Sequence, residues 1–307
     1  MPTQLRATSA GDGVVLPAGI DLRRTLGWYR HGRIDPTTRL DGDTFVRAGW
    51  TPDGPATVRL DWSAGVLDVA AWGPGAAWAA RAAVAMTGLQ REPAPLPDVH
   101  PLVTLAAHRW QGVRTGASGD LYGALLPTIL EQRITAAEAK RQHAALCHAL
   151  GEPAPGPFPG LLLPPRPERL ARRPAWWFHP FGIETKRARA LVEVARVADH
   201  LWDWATLPSA EVAARLGALR GVGPWTIGSV LGPVCGDDDA VPVGDLHIPN
   251  LVAFNLAGEA RADDARMLAL LEPFRGQRGR VIRLLGFAGR RAPAFGPRRR
   301  ILPMHRW

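Results

Sequence analysis

The sequence predicts an α+β protein, with an antiparallel β-rich lobe at the N-terminus and an all-helical remainder. Three observations carry this expectation. Between about residues 40 and 72 the side chains alternate in polarity with the period of two that places neighbours on opposite faces of a strand. Beyond about residue 100 the apolar spacing changes to the 3.6-residue period of helices. Between these regions Pro93, Pro95, Pro97 and Pro101 can neither continue a helix nor join a central strand, so they mark a boundary. The expected organisation is therefore a lobe over 1–100, a helical core over 101–290 and a basic tail over 291–307.

Each element follows from local chemistry. Strands are expected at 44–50, 56–63 and 66–72, separated by Pro52-Asp53-Gly54-Pro55 and Ala64-Gly65, residues that make turns. In the second strand Val58, Leu60 and Trp62 point one way and Thr57, Arg59 and Asp61 the other. Gly73-Pro74-Gly75 leads into an alanine-rich helix with Trp78, Ala82 and Met86 on one face. Thr135 and Glu138 have the spacing of a capping box for a helix running to Leu150, where Gly151 supplies the stop. A proline-rich loop spans 153–167, and helices follow at 185–202, 209–218, 224–235, 248–256, 264–271 and 279–288.

Composition narrows the function classes. The formal net charge is +9, which suits a polyanionic partner, because basic side chains neutralise phosphates and release counterions. Only Lys140 and Lys186 are lysines, and the Arg, Ala, Gly and Pro bias is the one expected of a GC-rich bacterial genome. Two cysteines, Cys147 and Cys235, exclude a disulfide framework, a zinc knuckle and a four-cysteine iron–sulfur cluster, and both are expected as buried thiols. The N-terminus lacks a basic-then-apolar run, and no stretch of about 18 apolar residues exists, so a cytoplasmic protein without membrane contact is expected.

The chemistry concentrates in Leu219-Arg220-Gly221-Val222-Gly223-Pro224-Trp225-Thr226, between two helical patterns. Gly221 and Gly223 allow positive φ and close approach of the backbone to another surface. Pro224 suits the first turn of the next helix, whose free amides would face outward toward phosphate. A plain glycine-rich helix connection is the alternative. About twenty residues on comes Asp239-Ala240-Val241-Pro242-Val243-Gly244-Asp245-Leu246-His247-Ile248. A hairpin followed at this distance by an apolar stretch ending in aspartate resembles the helix-hairpin-helix DNA glycosylases, most closely the bacterial DNA-3-methyladenine glycosylase II proteins. Leu125 to Ile134, Phe178 to Ile183 and Glu272 to Arg280 resemble further segments of that family, so the likeness spans about residues 100–290.

The resemblance implies a helix-hairpin-helix glycosylase core acting on duplex DNA that contains damaged bases, as a monomer. It implies that Asp245 is the catalytic aspartate, and the chemistry agrees. Breaking the glycosidic bond develops positive charge on the sugar, which a carboxylate stabilises while orienting water. The alternative for Asp245 is a helix N-cap. Trp225 matches the position at which strand-nicking relatives carry a Schiff-base lysine, so the implied enzyme is monofunctional. By the same likeness Gln132 and Arg133 form the wedge that fills the gap left by the extruded base, with Arg133 where relatives carry leucine; the alternative for Arg133 is an exposed arginine at a helix start. Arg220, Gly221, Val222, Gly223 and Thr226 join them in contacting DNA. Trp225, Ser229 and Leu246 form the base pocket, with fewer rings than relatives have and so more room. Alkylated purines are the expected substrates, with a non-catalytic DNA-binding scaffold or a glycosylase for oxidised or bulky purines as alternatives. No organic cofactor and no metal are implied, although the hairpin carbonyls are a place for a monovalent cation.

Weaker signals are expected to be structural. His143, Cys147 and His148 share a helix but lack further ligands. Asp237-Asp238-Asp239 reads as solvated acid, Lys140 and Lys186 as surface lysines, and Trp176-Trp177 as core packing.

Overall fold

The computed structural model describes residues 4–6 and 13–293; Arg298-Arg299-Arg300 of the basic tail lie outside the described residues. The N-terminal lobe contains β1 (Gln4–Arg6), β2 (Val14–Val15), α1 (Leu22–Leu26), β3 (Thr38–Asp41), β4 (Thr44–Thr51), β5 (Gly54–Asp61), β6 (Val66–Trp72) and α2 (Ala76–Met86). The sheet order is β1-β6-β5-β4-β3, all antiparallel, with β2 also pairing with β6. The β4–β5 register pairs Phe45 with Leu60 and closes at Thr51 opposite Gly54, whose φ of +113° a side chain would resist.

Both faces of this sheet are covered. On one, Ala56, Val58, Leu60, Val69 and Ala71 pack against α1 and α2. On the other, Leu161 and Leu163 of the proline-rich segment bury Val46 and Ala48. Thr57, expected on the outer face of its strand, is therefore buried. The buried face of α2 is Ala76, Ala79, Ala80, Ala83 and Met86, not the one carrying Trp78 and Ala82. Small side chains let the helix lie close on the sheet, and an indole there would hold it away. Trp78 instead meets Trp202 edge-on, 5.1 Å between ring centroids.

The helical part comprises α3 (Pro101–Arg109), α4 (Leu121–Glu131), α5 (Ala136–Leu150), α6 (Pro167–Ala171), α7 (Thr185–Arg196), α8 (Ala198–Trp204), α9 (Ser209–Gly217), α10 (Pro224–Cys235), α11 (Ile248–Ala257), α12 (Asp264–Leu271) and α13 (Arg278–Ala288). The single helix expected over 185–202 is two, broken at Val197 (φ −105°, ψ 12°). The apolar stripe Leu191, Val194, Ala195, Ala198, Leu201 continues across the break, so periodicity could not show it. Thr135 caps α5 by accepting from the Glu138 amide, as its spacing requires.

Two cores form within this part. One joins α4 through α10, with Tyr122, Phe178 and Leu191 among its buried residues, and the other joins α3 to α11, α12 and α13 through Val103, Met267 and Phe274. The buried Arg187 guanidinium ties α7 to the end of α4 and to α5, donating to Leu130 O (2.8 Å) and Gln142 Oε1 (2.7 Å). The two lobes are pinned by the Arg47–Asp120 ion pair at 2.8 Å, shielded from water on both sides. Asp120 also caps α4 through the Gly123 amide, so one carboxylate fixes both the lobe contact and the direction of α4. No helix of the described residues is long and apolar enough to cross a membrane.

Candidate active site and nucleic-acid interface

The two helices α9 and α10 form a hairpin through 218–223. Leu219 and Val222 are buried and anchor the turn, while Arg220 and Gly221 are exposed. Gly221 has φ +90°, and a Cβ there would stand 2.7 Å from the Ala190 Cβ of α7. Positive φ was expected at Gly223 too, but its backbone is extended (φ −107°, ψ −178°), since it serves as the N-cap of α10. A Cβ on Gly223 would meet nothing within 4 Å. Helix α10 starts at Pro224 with no side-chain cap, so its first-turn amides remain available to an anion.

Gln132 follows α4 and reaches across to this hairpin. Its Nε2 donates to Gly221 O (3.0 Å) and Thr226 Oγ1 (2.9 Å). The Gln132 Nε2 and the buried Thr226 hydroxyl are thus engaged inside the protein, which ties the end of α4 to the hairpin. Arg133 is exposed and is the one described non-glycine residue with positive φ, 61°. Such a conformation costs a side chain of this type about 1 kcal/mol and tends to accompany function.

Asp245 is held from three directions. Its Oδ1 accepts from the amides of His247 (2.7 Å) and Ile248 (2.9 Å), and its Oδ2 accepts from Trp225 Nε1 (2.8 Å). The carboxylate thus links the α10 indole to the backbone turn that leads into α11, whose N-cap is His247. Of its roughly four lone-pair sites three are used, which leaves one on Oδ2. Two features that the sequence reading missed aim it. Gly228 of α10 admits the chain at Val241-Pro242, where a Cβ would strike Val241 O, and Gly244 (φ +93°) donates its amide to both Asp264 oxygens (3.1 and 3.0 Å).

A chamber of about 740 Å³ opens between the lobes and the last helix. Ser229 lines it, its hydroxyl donating to Trp225 O at 2.7 Å. Trp225 and Leu246 do not. The Trp225 indole is turned onto Asp245, and Leu246 is 75% exposed beyond it. The aromatic lining comes instead from Trp28, Tyr29 and Phe287. The Arg283 guanidinium lies 4.2 Å from the Trp28 ring and is pushed down to about 10 by its burial. These residues belong to the N-terminal lobe and α13, far from the motif, and no local pattern marks them. Lys140, expected on the solvated surface, is half-buried in the chamber wall with its stem under Gly32, where a Cβ would be 2.8 Å from Lys140 Cδ. Glu131, the last residue of α4, lines the same wall and was not anticipated. Lys186 is exposed, as expected.

Other expectations are corrected here. Asp239 is not simply solvated, because it receives Arg278 Nε (2.9 Å) and Nη2 (2.6 Å) and the amides of Gly276 and Arg278. Asp238 pairs with Arg91 at 2.8 Å. The acidic run thereby ties the start of α13 to the segment leading to Asp245. Trp177 packs on Phe178 and Phe181, whereas Trp176 is 68% exposed and lines a basic groove with Arg173, Arg189, Arg196 and Arg220. His143 sits 3.7 Å from Cys147 Sγ and edge-on to His31, and burial keeps both rings neutral. Among the described residues no cluster of metal-ligating side chains forms, and both cysteines are free.

No protein-family model matches the chain, and no curated protein is similar to it in sequence. Solved structures do share its fold. A 3-methyladenine DNA glycosylase from Archaeoglobus fulgidus superimposes with a TM-score of 0.72 at 16% identity, over 93% of this chain and 98% of that one. The apo-form of the 8-oxoguanine glycosylase/lyase from Clostridium acetobutylicum gives a TM-score of 0.58 at 14% identity, over 82% of this chain and 98% of that one. The same enzyme with double-stranded DNA containing cytosine opposite 8-oxoguanine gives 0.58 over 87% and 90%. The chain therefore has the fold of the helix-hairpin-helix DNA glycosylases.

Proposed function

We propose that this chain is a monofunctional DNA glycosylase that binds duplex DNA, extrudes a damaged base and hydrolyses its N-glycosidic bond. The observation that carries this reading is Asp245, fixed by three hydrogen bonds beside an uncapped hairpin helix, in the segment between Pro242 and Ile248, which both line the chamber. The hairpin amides, Arg220 and the groove of Arg173, Arg189 and Arg196 would hold phosphates. Arg133 would fill the place vacated by the base. Positive charge developing on the sugar would then face the free lone pair of Asp245, which also orients water for attack.

Single-turnover base release tests this. Asp245→Asn removes excision and leaves DNA affinity largely intact; wild-type rates in that variant sink the assignment. Trp225 at the Schiff-base position supports the hydrolytic form, so borohydride traps no enzyme–DNA adduct. Because Lys140 lines the chamber, trapping that disappears in Lys140→Met overturns monofunctionality.

Alkylated purines are the first lesion class, since alkylation already weakens the glycosidic bond. A second reading, a neutral oxidised or bulky purine, is favoured by the charge of the lining, which includes Arg24, Arg47, Lys140, Arg280 and Arg283. That field opposes a cationic methylpurine.

A further inference from the structure

Glu131 occupies a position that folding alone disfavours. It ends α4, at the negative end of the helix dipole, where a carboxylate is destabilising. It is half-buried in the chamber wall and makes no hydrogen bond or ion pair with any described residue. Lys140 faces the same space from α5 without closing a salt bridge to it, and Asp245 lies within electrostatic reach. From the N-terminal lobe His31 and Arg47 line the same chamber, and from α13 Arg280 and Arg283.

We propose that Glu131 is a second catalytic residue, a general acid that protonates the leaving base while Asp245 stabilises the sugar. This rests on the glycosylase reading above and adds to it a substrate class, neutral purine lesions with a free ring nitrogen. The C1′–N bond breaks and its electron pair leaves with the base, Glu131 gives its proton to a ring nitrogen of that base, and water adds at C1′. The proton lost by that water returns to the Glu131 carboxylate. A cationic methylpurine leaves without this help, whereas a neutral purine needs it.

The two carboxyl groups are differentiated by their surroundings. Burial pushes the Glu131 carboxyl above the ordinary range; the Lys140 ammonium opposes this and the Asp245 carboxylate adds to it. Asp245 instead is fixed in place by three donors. A carboxyl held toward the sugar and a second left unpaired in the chamber wall are the arrangement that acid-assisted cleavage of a sugar bond requires.

The test compares wild type, Glu131→Gln, Lys140→Met and Asp245→Asn on duplexes carrying 7-methylguanine, hypoxanthine or 1,N6-ethenoadenine, under single turnover across pH. Glu131→Gln should slow release of the two neutral bases by about 10²-fold or more while 7-methylguanine release changes by less than about threefold. The wild-type rate on neutral bases should fall as pH rises through the Glu131 titration, a limb absent in Glu131→Gln. Lys140→Met, which removes the opposing cation, should move that limb to higher pH. Equal loss on all three bases, no loss on any, or a wild type confined to 7-methylguanine each overturns the proposal. Activity retained in Asp245→Asn overturns the glycosylase reading itself, so the two failures are distinct.

Discussion

Trp225→Phe separates two roles for the indole. The substitution keeps an aromatic ring and removes the N–H that holds Asp245 Oδ2 at 2.8 Å. A hydrogen bond to a charged acceptor contributes about 1.5–3 kcal/mol, so a carboxylate freed to rotate should slow base release about 10–150-fold. The two backbone amides still hold Oδ1, and the hairpin is untouched, so DNA affinity should stay within about twofold. Single-turnover release and fluorescence anisotropy on one lesion duplex measure the two quantities. A stacking role in the pocket predicts the reverse pattern, with phenylalanine near wild type and alanine far worse. Trp225→Phe at the wild-type rate, with Trp225→Ala much slower, would refute the positioning argument.

The hairpin glycines should respond differently to alanine. Gly221→Ala, with φ +90° and Ala190 in the way, should cost about 1–3 kcal/mol in denaturant unfolding, whereas Gly223→Ala should leave stability within about 0.5 kcal/mol and weaken DNA binding about tenfold by keeping phosphate off the backbone; unchanged affinity would remove Gly223 from the interface. Arg133→Gly should relieve its left-handed strain, raising stability by about 0.5–1 kcal/mol, while slowing excision from duplex more than from single-stranded substrate. Equal slowing on both would show that Arg133 is no wedge. For Glu131 the folded-state value is raised, so between the unfolded and folded values the native state binds more protons and stability falls as pH rises. Glu131→Gln should therefore melt higher than wild type at neutral pH, with the difference vanishing below the ordinary carboxylate range. A thermal-melt difference independent of pH would contradict the buried-acid description.

Much of the fold is written in local pattern. The three strands over 44–72 and the helices Pro224–Cys235 and Asp264–Leu271 follow from alternation, turn residues and helix punctuation, because each depends on chemistry within a few residues. The hairpin and the aspartate twenty residues beyond it were legible for the same reason, as one short motif. What the sequence could not show depends on which distant surfaces meet. The turn of α2 that sends Trp78 to Trp202, the break at Val197 inside an unbroken apolar stripe, and the burial of Thr57 under the proline-rich segment are all decided by packing partners far along the chain. The site divides in the same way. Asp245 was marked by its own neighbours, but Trp225 as its hydrogen-bond donor, Trp28 and Phe287 as chamber walls, and Lys140 and Glu131 facing one cavity arise only where two lobes and the last helix close on a common space. Sequence periodicity records which side of an element is buried, and only the tertiary structure determines what it is buried against.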